Sequence, residues 1–196
     1  EGAALAVVVV FLFLRDWRAT LVAAAALPLS VLPTFGVMYF FGFTINVVTL
    51  LSLSIVVGVL VDDAIVEIEN IMRHLAQGKS PMAAAMEAAD EIGLAVIATT
   101  FTIVAVFVPV SFMPGIPGQY FIQFGLTVAV AVLFSLTVAR LITPMMAAYL
   151  LKAPKHAHKE PFWMPAYLKA ARWAFTHKGK TMAITAAFSV AACTPL

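Results

Sequence analysis

The chain contains two long stretches without a charged side chain, and this feature restricts its fold more than any other. No Asp, Glu, Lys or Arg occurs between Arg18 and Asp62, or between Glu91 and Arg140. A helix that crosses roughly 30 Å of hydrocarbon needs about 20 apolar residues, so each stretch is long enough for two crossings. The chain is 63% hydrophobic and only 11% charged. A water-soluble domain could not bury that much apolar surface, and the sequence therefore predicts an all-α membrane protein.

Each charge-free stretch has a turn signal near its middle. The signals are Gly-Phe-Thr-Ile-Asn at 42–46 and Met-Pro-Gly-Ile-Pro-Gly-Gln at 113–119, both rich in residues that end helices. Each stretch should therefore fold as a helical hairpin. We expect a bundle of about six spans, at residues 2–14, 19–41, 46–72, 92–112, 120–151 and from 181 onward. Because the first run reaches only about 20 Å and the last is cut off at 196, we expect an internal fragment.

Basic residues occur in alternate connections between these spans. By the positive-inside rule those connections are cytoplasmic, and the turns near Phe43 and Gly115 lie outside. Arg140 is the one basic residue within a span, near its cytoplasmic end, where its stem can snorkel towards water. The basic residues of the connections are Arg15, Arg18, Arg73, Lys79, Lys152, Lys155, Lys159, Lys169, Arg172, Lys178 and Lys180.

The two longer connections each predict a helix outside the hydrocarbon. Ser80 and Pro81 are typical of an N-cap and a first helical position, and we expect the helix 82–91 to lie against the membrane face. In the second, an apolar stripe at Met164, Leu168, Ala171 and Phe175 predicts an interfacial helix. Anionic lipid is its expected partner and nucleic acid is not. We divide the chain into spans at 1–152, a cytoplasmic linker with an interfacial helix at 153–178, and a truncated span at 179–196.

Asp62 and Asp63 are adjacent carboxylic acids near the middle of the third span. Each central Asp costs roughly 2.5 to 3.5 kcal/mol to insert, so a charged and unpaired pair would cost on the order of 5 to 7 kcal/mol. Burial and mutual repulsion both favour the neutral form of at least one, so the pair can load and unload protons. The alternative is a static pair that only fixes helix packing. Arg140 is expected to lie too near the membrane edge to be the counter-ion, which should therefore come from outside this chain.

Other polar or small residues in the spans have two interpretations. Thr99 and Thr100 either bond back to their own helix backbone or line a polar path beside the third span. Gly58 lies one turn before Asp62 and is expected to allow close helix contact. For the three polar residues that follow the Asp pair we expect a solvated helix end. These are Glu67, Glu69 and Asn70.

Enzymatic and metal chemistry have no support in the sequence. His156 and His158 could chelate a metal, but they stand in a basic linker, and we expect no metal site. No phosphate loop, CxxC pair or Ser/His/Asp arrangement is recognisable. We expect no enzyme and no cofactor, with a proton gradient as the source of energy.

Several segments resemble one transporter family. The segment 58–70, GVLVDDAIVEIEN, closely resembles the fourth transmembrane helix of the resistance-nodulation-division exporters. The resemblance extends over nearly the whole chain through FLFLRDWRAT at 11–20, FGFTIN at 41–46, the stretch 98–109 and LITP at 141–144. The spans would then be family helices two to seven. The double Asp resembles that of the hydrophobe and amphiphile efflux branch of the family. Arg140 departs from the family pattern, in which an apolar residue is expected at this position before the Thr-Pro step.

The resemblance implies a proton-coupled exporter of amphiphilic drugs in a bacterial inner membrane. It implies that Asp62 and Asp63 are the proton relay, partnered by a lysine and other polar residues on helices of the second membrane half, which are absent from this chain. From their positions in the spans, Gly58, Thr99 and Thr100 are candidate supporting residues. It also implies a homotrimer that works with a periplasmic adaptor and an outer-membrane channel. The alternatives are an exporter of lipids or metal ions, and a non-transporting sterol-sensing or protein-translocation module.

Overall fold

A computed structural model describes the backbone of residues 2–152 and 164–193, and these residues are helical apart from short connections. Two compact units are present, Glu1–Lys155 and His156–Leu196. The helices of the first unit are α1 (Gly2–Leu14), α2 (Trp17–Phe40), α3 (Val47–Ala76), α4 (Pro81–Ser111), α5 (Ile116–Thr137) and α6 (Thr143–Leu150), with a π-helical segment at Val138–Ile142. Those of the second are α7 (Met164–Thr176) and α8 (Lys178–Cys193). The all-α fold class is confirmed.

Four helices of the described chain are long and apolar enough to cross a membrane. They are Trp17–Phe40, Val47–Ala76, Pro81–Ser111 and Ile116–Leu150, the last formed by α5, the π-helical segment and α6 without interruption. They are the four arms of the two predicted hairpins. With 13 residues in α1 and 16 in α8, the other two predicted spans are shorter than the roughly 20 residues a crossing needs.

The first hairpin turns where the sequence predicts, between α2 and α3. Gly42 has φ +69°, a left-handed conformation that favours glycine. Asn46 caps α3, because its side chain accepts from the backbone N–H of Val48 at 2.9 Å and of Thr49 at 3.0 Å. The Asn46 amide also donates to the Gln123 side chain of α5 at 2.7 Å. This bond ties the turn to the second hairpin.

The second hairpin, α4 to α5, closes tightly. Gly115 in its turn has φ +87°. Further along, a Cβ atom added at Gly125 would lie 2.5 Å from the carbonyl oxygen of Phe107 and would also collide with the Ser111 hydroxyl. The two helices can therefore approach this closely only because position 125 has no side chain.

The prediction of a separate interfacial helix at 82–91 is wrong, because α4 runs without a break from Pro81 to Ser111. Ser80 does cap it, with its hydroxyl accepting from the Ala83 N–H at 3.4 Å. Nothing in this segment ends a helix, since 82–99 contains strong helix formers and a single glycine at position 93. The first part of α4 and the fourth predicted span are therefore one continuous helix.

A polar cluster joins the end of α3 to the start of α4. Glu91 accepts hydrogen bonds from Arg73 at 2.5 Å and from His74 at 3.0 Å, and Lys79 pairs with Glu87. We call the end of the first unit that holds this cluster the basic end. Arg18 also lies there, where it donates to the Leu150 carbonyl of α6 at 3.1 Å.

In the second unit, α7 matches the amphipathic helix expected from Met164 onward. Its contact with α8 includes a hydrogen bond from the Thr181 hydroxyl to the Ala174 carbonyl at 3.1 Å. That α7 lies at a lipid interface stays a prediction. His156 and His158 lie outside the described residues.

Candidate functional site

The two predicted relay residues occupy different environments in α3. Asp62 is exposed on the surface of the first unit, whereas Asp63 is half-buried. Asp63 accepts a hydrogen bond from the hydroxyl of Ser135, a buried residue of α5, at 3.0 Å. No Lys, Arg or His of the described chain lies within ion-pair distance of either Asp. The pair is thus held by a neutral donor and has no counter-ion here.

Asp62 belongs to a stripe of α3 that no described helix covers. The exposed fractions of Leu51, Ile55 and Val66 on this stripe are 54%, 50% and 49%. Gly58 lies on the same stripe, and a Cβ atom there would meet nothing within 4 Å. The close helix contact expected at Gly58 is therefore absent from the described part of the chain.

The prediction that the three polar residues after the Asp pair form a solvated helix end is wrong for two of them. Glu67 is completely buried, with a relative exposure of 0%, and neither carboxylate oxygen has a hydrogen-bond partner in the described ranges 2–152 and 164–193. Asn70 is buried as well, and its amide donates to the Ala88 carbonyl of α4 at 3.1 Å. Glu69 alone is exposed. The reason is that α4 continues past this level and covers the face of α3 that carries residues 67 and 70.

Arg140 is directed inward by the π-helical segment. The Thr143 N–H donates to the Val138 carbonyl five residues earlier, which inserts one residue into the helical register. In a regular α-helix, at about 100° per residue, position 139 would follow Ser135 on the same face. Ala139 is indeed buried, and in the wider turn of the π-helix the neighbouring Arg140 also contacts α4, about one turn beyond the Ser135 that contacts Asp63.

The guanidinium of Arg140 has three kinds of neighbour. It donates to the Ala89 carbonyl of α4 and packs against Gly93, where an added Cβ would lie 2.5–2.6 Å from three of its atoms. Its positive charge also acts on the carboxylate of Glu67. Arg140 thus contacts the neighbouring helix α4. Its side chain does not only extend towards water at the membrane edge, as the sequence predicts.

The two threonines of α4 follow the simpler of their two interpretations. Thr99 and Thr100 both donate to the Val96 carbonyl of their own helix, at 3.0 and 2.8 Å. Neither is hydrogen-bonded to the Asp pair in the described part of the chain, and Thr99 is exposed. Both hydroxyls are therefore bonded to the backbone of α4, as threonine hydroxyls in membrane helices usually are.

Sequence reasoning missed Ser135 as a partner of Asp63. Nothing separates it in the sequence from other hydroxyl residues of the spans, such as Ser52 and Ser111, which bond to their own helix backbone at 2.8 and 3.0 Å. The burial of Glu67 had one usable signal, since its spacing of four residues from Asp63 places both carboxylates on one helix face.

Comparison with known proteins supports the resemblance. A family model described as the AcrB/AcrD/AcrF family matches residues 1–191. The multidrug resistance protein MdtC of Yersinia enterocolitica is 48% identical over 150 residues, which is 76% of this chain and 15% of the relative.

Two further MdtC proteins extend the match. That of Pectobacterium atrosepticum is 45% identical over 79% of this chain and 15% of its own length. That of Escherichia coli O139:H28 is 40% identical over 89% of this chain and 18% of its own length. The chain therefore corresponds to less than a fifth of these relatives. It is a multi-pass membrane chain that belongs to the AcrB/AcrD/AcrF family, as its resemblance to the resistance-nodulation-division exporters predicts.

Proposed function

We propose that this chain supplies part of the proton-translocating membrane domain of a drug:proton antiporter, in which Asp62 and Asp63 carry the protons. The observation that carries the proposal is the position of the pair within α3, a helix long and apolar enough to span a membrane. Acids at such depth are costly and are functional by default. Two in succession raise that cost further, which favours a functional role over a static pair that only fixes helix packing.

The surroundings of the pair favour proton exchange over a static ion pair. A buried salt bridge would need a cation close to the acids, and within the described chain Asp63 has only the neutral donor Ser135. A hydroxyl can hydrogen-bond to Asp63 in either protonation state, because it is both donor and acceptor. The proton can therefore come and go without breaking the α3–α5 contact.

The uncovered stripe of α3 supplies a place for the missing counter-ion. Asp62 is exposed on that stripe beside Gly58, which leaves room for a long side chain from another helix. We assign this place to a lysine of the second membrane half. When the lysine approaches, the charged form of the pair is favoured and protons leave; when it withdraws, protons return.

This exchange couples the proton gradient to work. Moving one elementary charge across the membrane is worth roughly 2.3 kcal/mol per 100 mV. One or two protons in each cycle would then supply several kcal/mol for a change of conformation. Two states that differ in the distance between the lysine and the Asp pair are enough to use it.

For the complete protein we propose export of amphiphilic compounds from the inner membrane of a Gram-negative bacterium, as a homotrimer with a periplasmic adaptor and an outer-membrane channel. The names of the MdtC relatives refer to multidrug resistance, which favours drugs over lipids or metal ions as substrates. The periplasmic regions that would bind these compounds lie outside this chain.

The test replaces each acid by its neutral isostere in the complete transporter. We expect Asp62→Asn and Asp63→Asn to abolish dye efflux against a gradient while the protein is still inserted in the membrane at normal amounts. Glu69→Gln is the matched control, because it removes one exposed carboxylate from the same helix. Efflux by either Asn variant at the rate of the control would refute the proposal.

A further inference from the structure

Glu67 is the buried acid that the proposed relay does not use. It lies four residues after Asp63, so the two carboxyl groups share a face of α3 and are about 6 Å apart along the helix axis. Its side chain has no exposure and its two carboxylate oxygens have no hydrogen-bond partner among the described residues. A permanently charged carboxylate so placed would be costly, so a functional reason must be sought.

Arg140 is the charge that faces Glu67. It lies in the π-helical segment, contacts Ala89 and Gly93 of α4, and is near enough for its positive charge to act on the carboxylate, although the two groups form no direct ion pair. Because the two groups form no direct ion pair, their attraction is not that of a locked salt bridge.

The other charged groups near α3 are engaged elsewhere or lie at the ends of the helices. Helices α1 and α5 carry no charged residue, and Arg18 of α2 donates to the Leu150 carbonyl. On α4, Glu87 and Glu91 belong to the polar cluster at the basic end. On α3 itself, Arg73 and His74 are bonded to Glu91 in that cluster. On α3 and the helices packed against it, the remaining charged groups are Asp62, Asp63 and Glu69 of α3, Asp90 of α4, and Arg140 of the π-helical segment.

A cavity provides access to Arg140 from the basic end. It has a volume of about 390 Å³ and lies between the first part of α4 and α6. Arg140 and Asp90 are its charged lining residues, and Tyr149 is its only other titratable one. Most of the lining residues are apolar, and Glu67 itself does not line the cavity. The two charged side chains, Arg140 and Asp90, give one part of the wall the polar groups that can hold water.

We propose that Glu67 is a third proton-exchanging carboxyl of α3, with Arg140 as its counter-ion and the cavity beside Arg140 as its access to water. Because Glu67 follows Asp63 by one turn of α3 in the direction of the basic end, it would be a station between that end and the Asp pair. This role in transport rests on the proposed proton-coupled function. The proton exchange of Glu67 itself does not.

The exchange is a simple proton transfer. A hydronium ion in the cavity gives its proton to one carboxylate oxygen of Glu67, which forms an O–H bond and leaves a water molecule. Glu67 is then neutral and Arg140 keeps its charge. On release the O–H bond breaks, the proton passes to a water molecule or to the carboxylate of Asp63, and the charge pair with Arg140 is restored.

Infrared difference spectroscopy of the complete transporter, with ¹³C in all glutamate side chains, tests the exchange. Between alkaline and acidic pH we expect a labelled band of a protonated carboxyl group in apolar surroundings. Glu67→Gln should remove this band, and so should Glu67→Asp, which keeps the carboxyl group and carries no label. The control Glu69→Gln should retain it. A spectrum without such a band, or a band that survives both replacements of Glu67, would overturn the proposal.

Transport measurements test the role. We expect Glu67→Gln to lower proton-driven dye efflux at least tenfold, and Glu67→Gln combined with Arg140→Gln to be equally slow although no unpaired charge is left. Normal efflux by this double variant would mean that the pair is only structural, and the inference would fail. Failure of the Asp→Asn test would instead sink the proposed function, and the infrared band would still decide whether Glu67 exchanges protons.

Discussion

The contact of α4 with α5 at Gly125 allows a stability prediction with a defined magnitude. An alanine Cβ at position 125 would lie 2.5 Å from the carbonyl oxygen of Phe107 and would collide with the Ser111 hydroxyl. The first of these atoms belongs to a helix backbone and cannot rotate away, so the helices must separate. Overpacking of this kind typically costs about 1–3 kcal/mol.

Replacing glycine inside a helix also brings a gain, because alanine is favoured by about 0.8–1.0 kcal/mol. Gly36 of α2 is the matched control, since a Cβ there meets nothing within 4 Å and the gain is the same. The difference in stability between Gly125→Ala and Gly36→Ala therefore isolates the overpacking, which we expect to be about 1–3 kcal/mol.

The assay is the thermal unfolding of the complete transporter in detergent, with the fraction of monodisperse protein as a second measurement. Gly125→Ala should unfold at a lower temperature than Gly36→Ala. Adding Ser111→Ala should restore part of the loss, because it removes the hydroxyl collision but leaves the Phe107 carbonyl in place. Equal unfolding temperatures for the two glycine variants would refute the close approach of α4 and α5.

Two further predictions concern the site. Ser135→Ala removes the hydrogen bond to Asp63, and because hydrogen bonds to charged groups contribute about 1.5–3 kcal/mol, we expect transport to fall about tenfold or more. The control Thr137→Val loses only a bond to the Leu133 carbonyl and should transport normally. A normal rate for Ser135→Ala would contradict the contact with Asp63. Gly93→Ala should displace the Arg140 guanidinium from Ala89 and slow transport while the protein stays folded, because the colliding group is the flexible end of a side chain. Dye efflux, compared with the amount of inserted protein, measures both, and a Gly93→Ala variant with normal efflux would show that the position of Arg140 does not matter.

The polar cluster at the basic end shows why α4 could not be divided correctly from the sequence. The predicted boundary at 91–92 follows the change from charged to apolar residues, which marks where a helix enters hydrocarbon and not where it begins or ends. Glu91 lies at that change and is bonded to Arg73 and His74 of α3. A continuous helix satisfies its backbone on both sides of the interface, so composition alone carries no signal of a break.

Local sequence determined the elements and the candidate acids. Charge-free stretches, glycine-rich turns and the capping residues Asn46 and Ser80 set the two hairpins, because helix length, turn conformation and capping depend on neighbours along the chain. The adjacent acids Asp62 and Asp63 were visible for the same reason, since their cost depends only on their depth in an apolar helix.

Only the tertiary structure decided what surrounds those acids. Three features show this: the hydrogen bond from Ser135 to Asp63, the complete burial of Glu67 and the contact of Arg140 with α4. Each depends on residues of different helices, and Ser135 and Asp63 are 72 positions apart in the sequence. They depend on how the helices pack and on one inserted residue in the π-helical segment, which rotates everything after it by about 100°. Periodicity read along a chain assumes a regular helix, and a single change of register moves a charge about 100° around the helix axis.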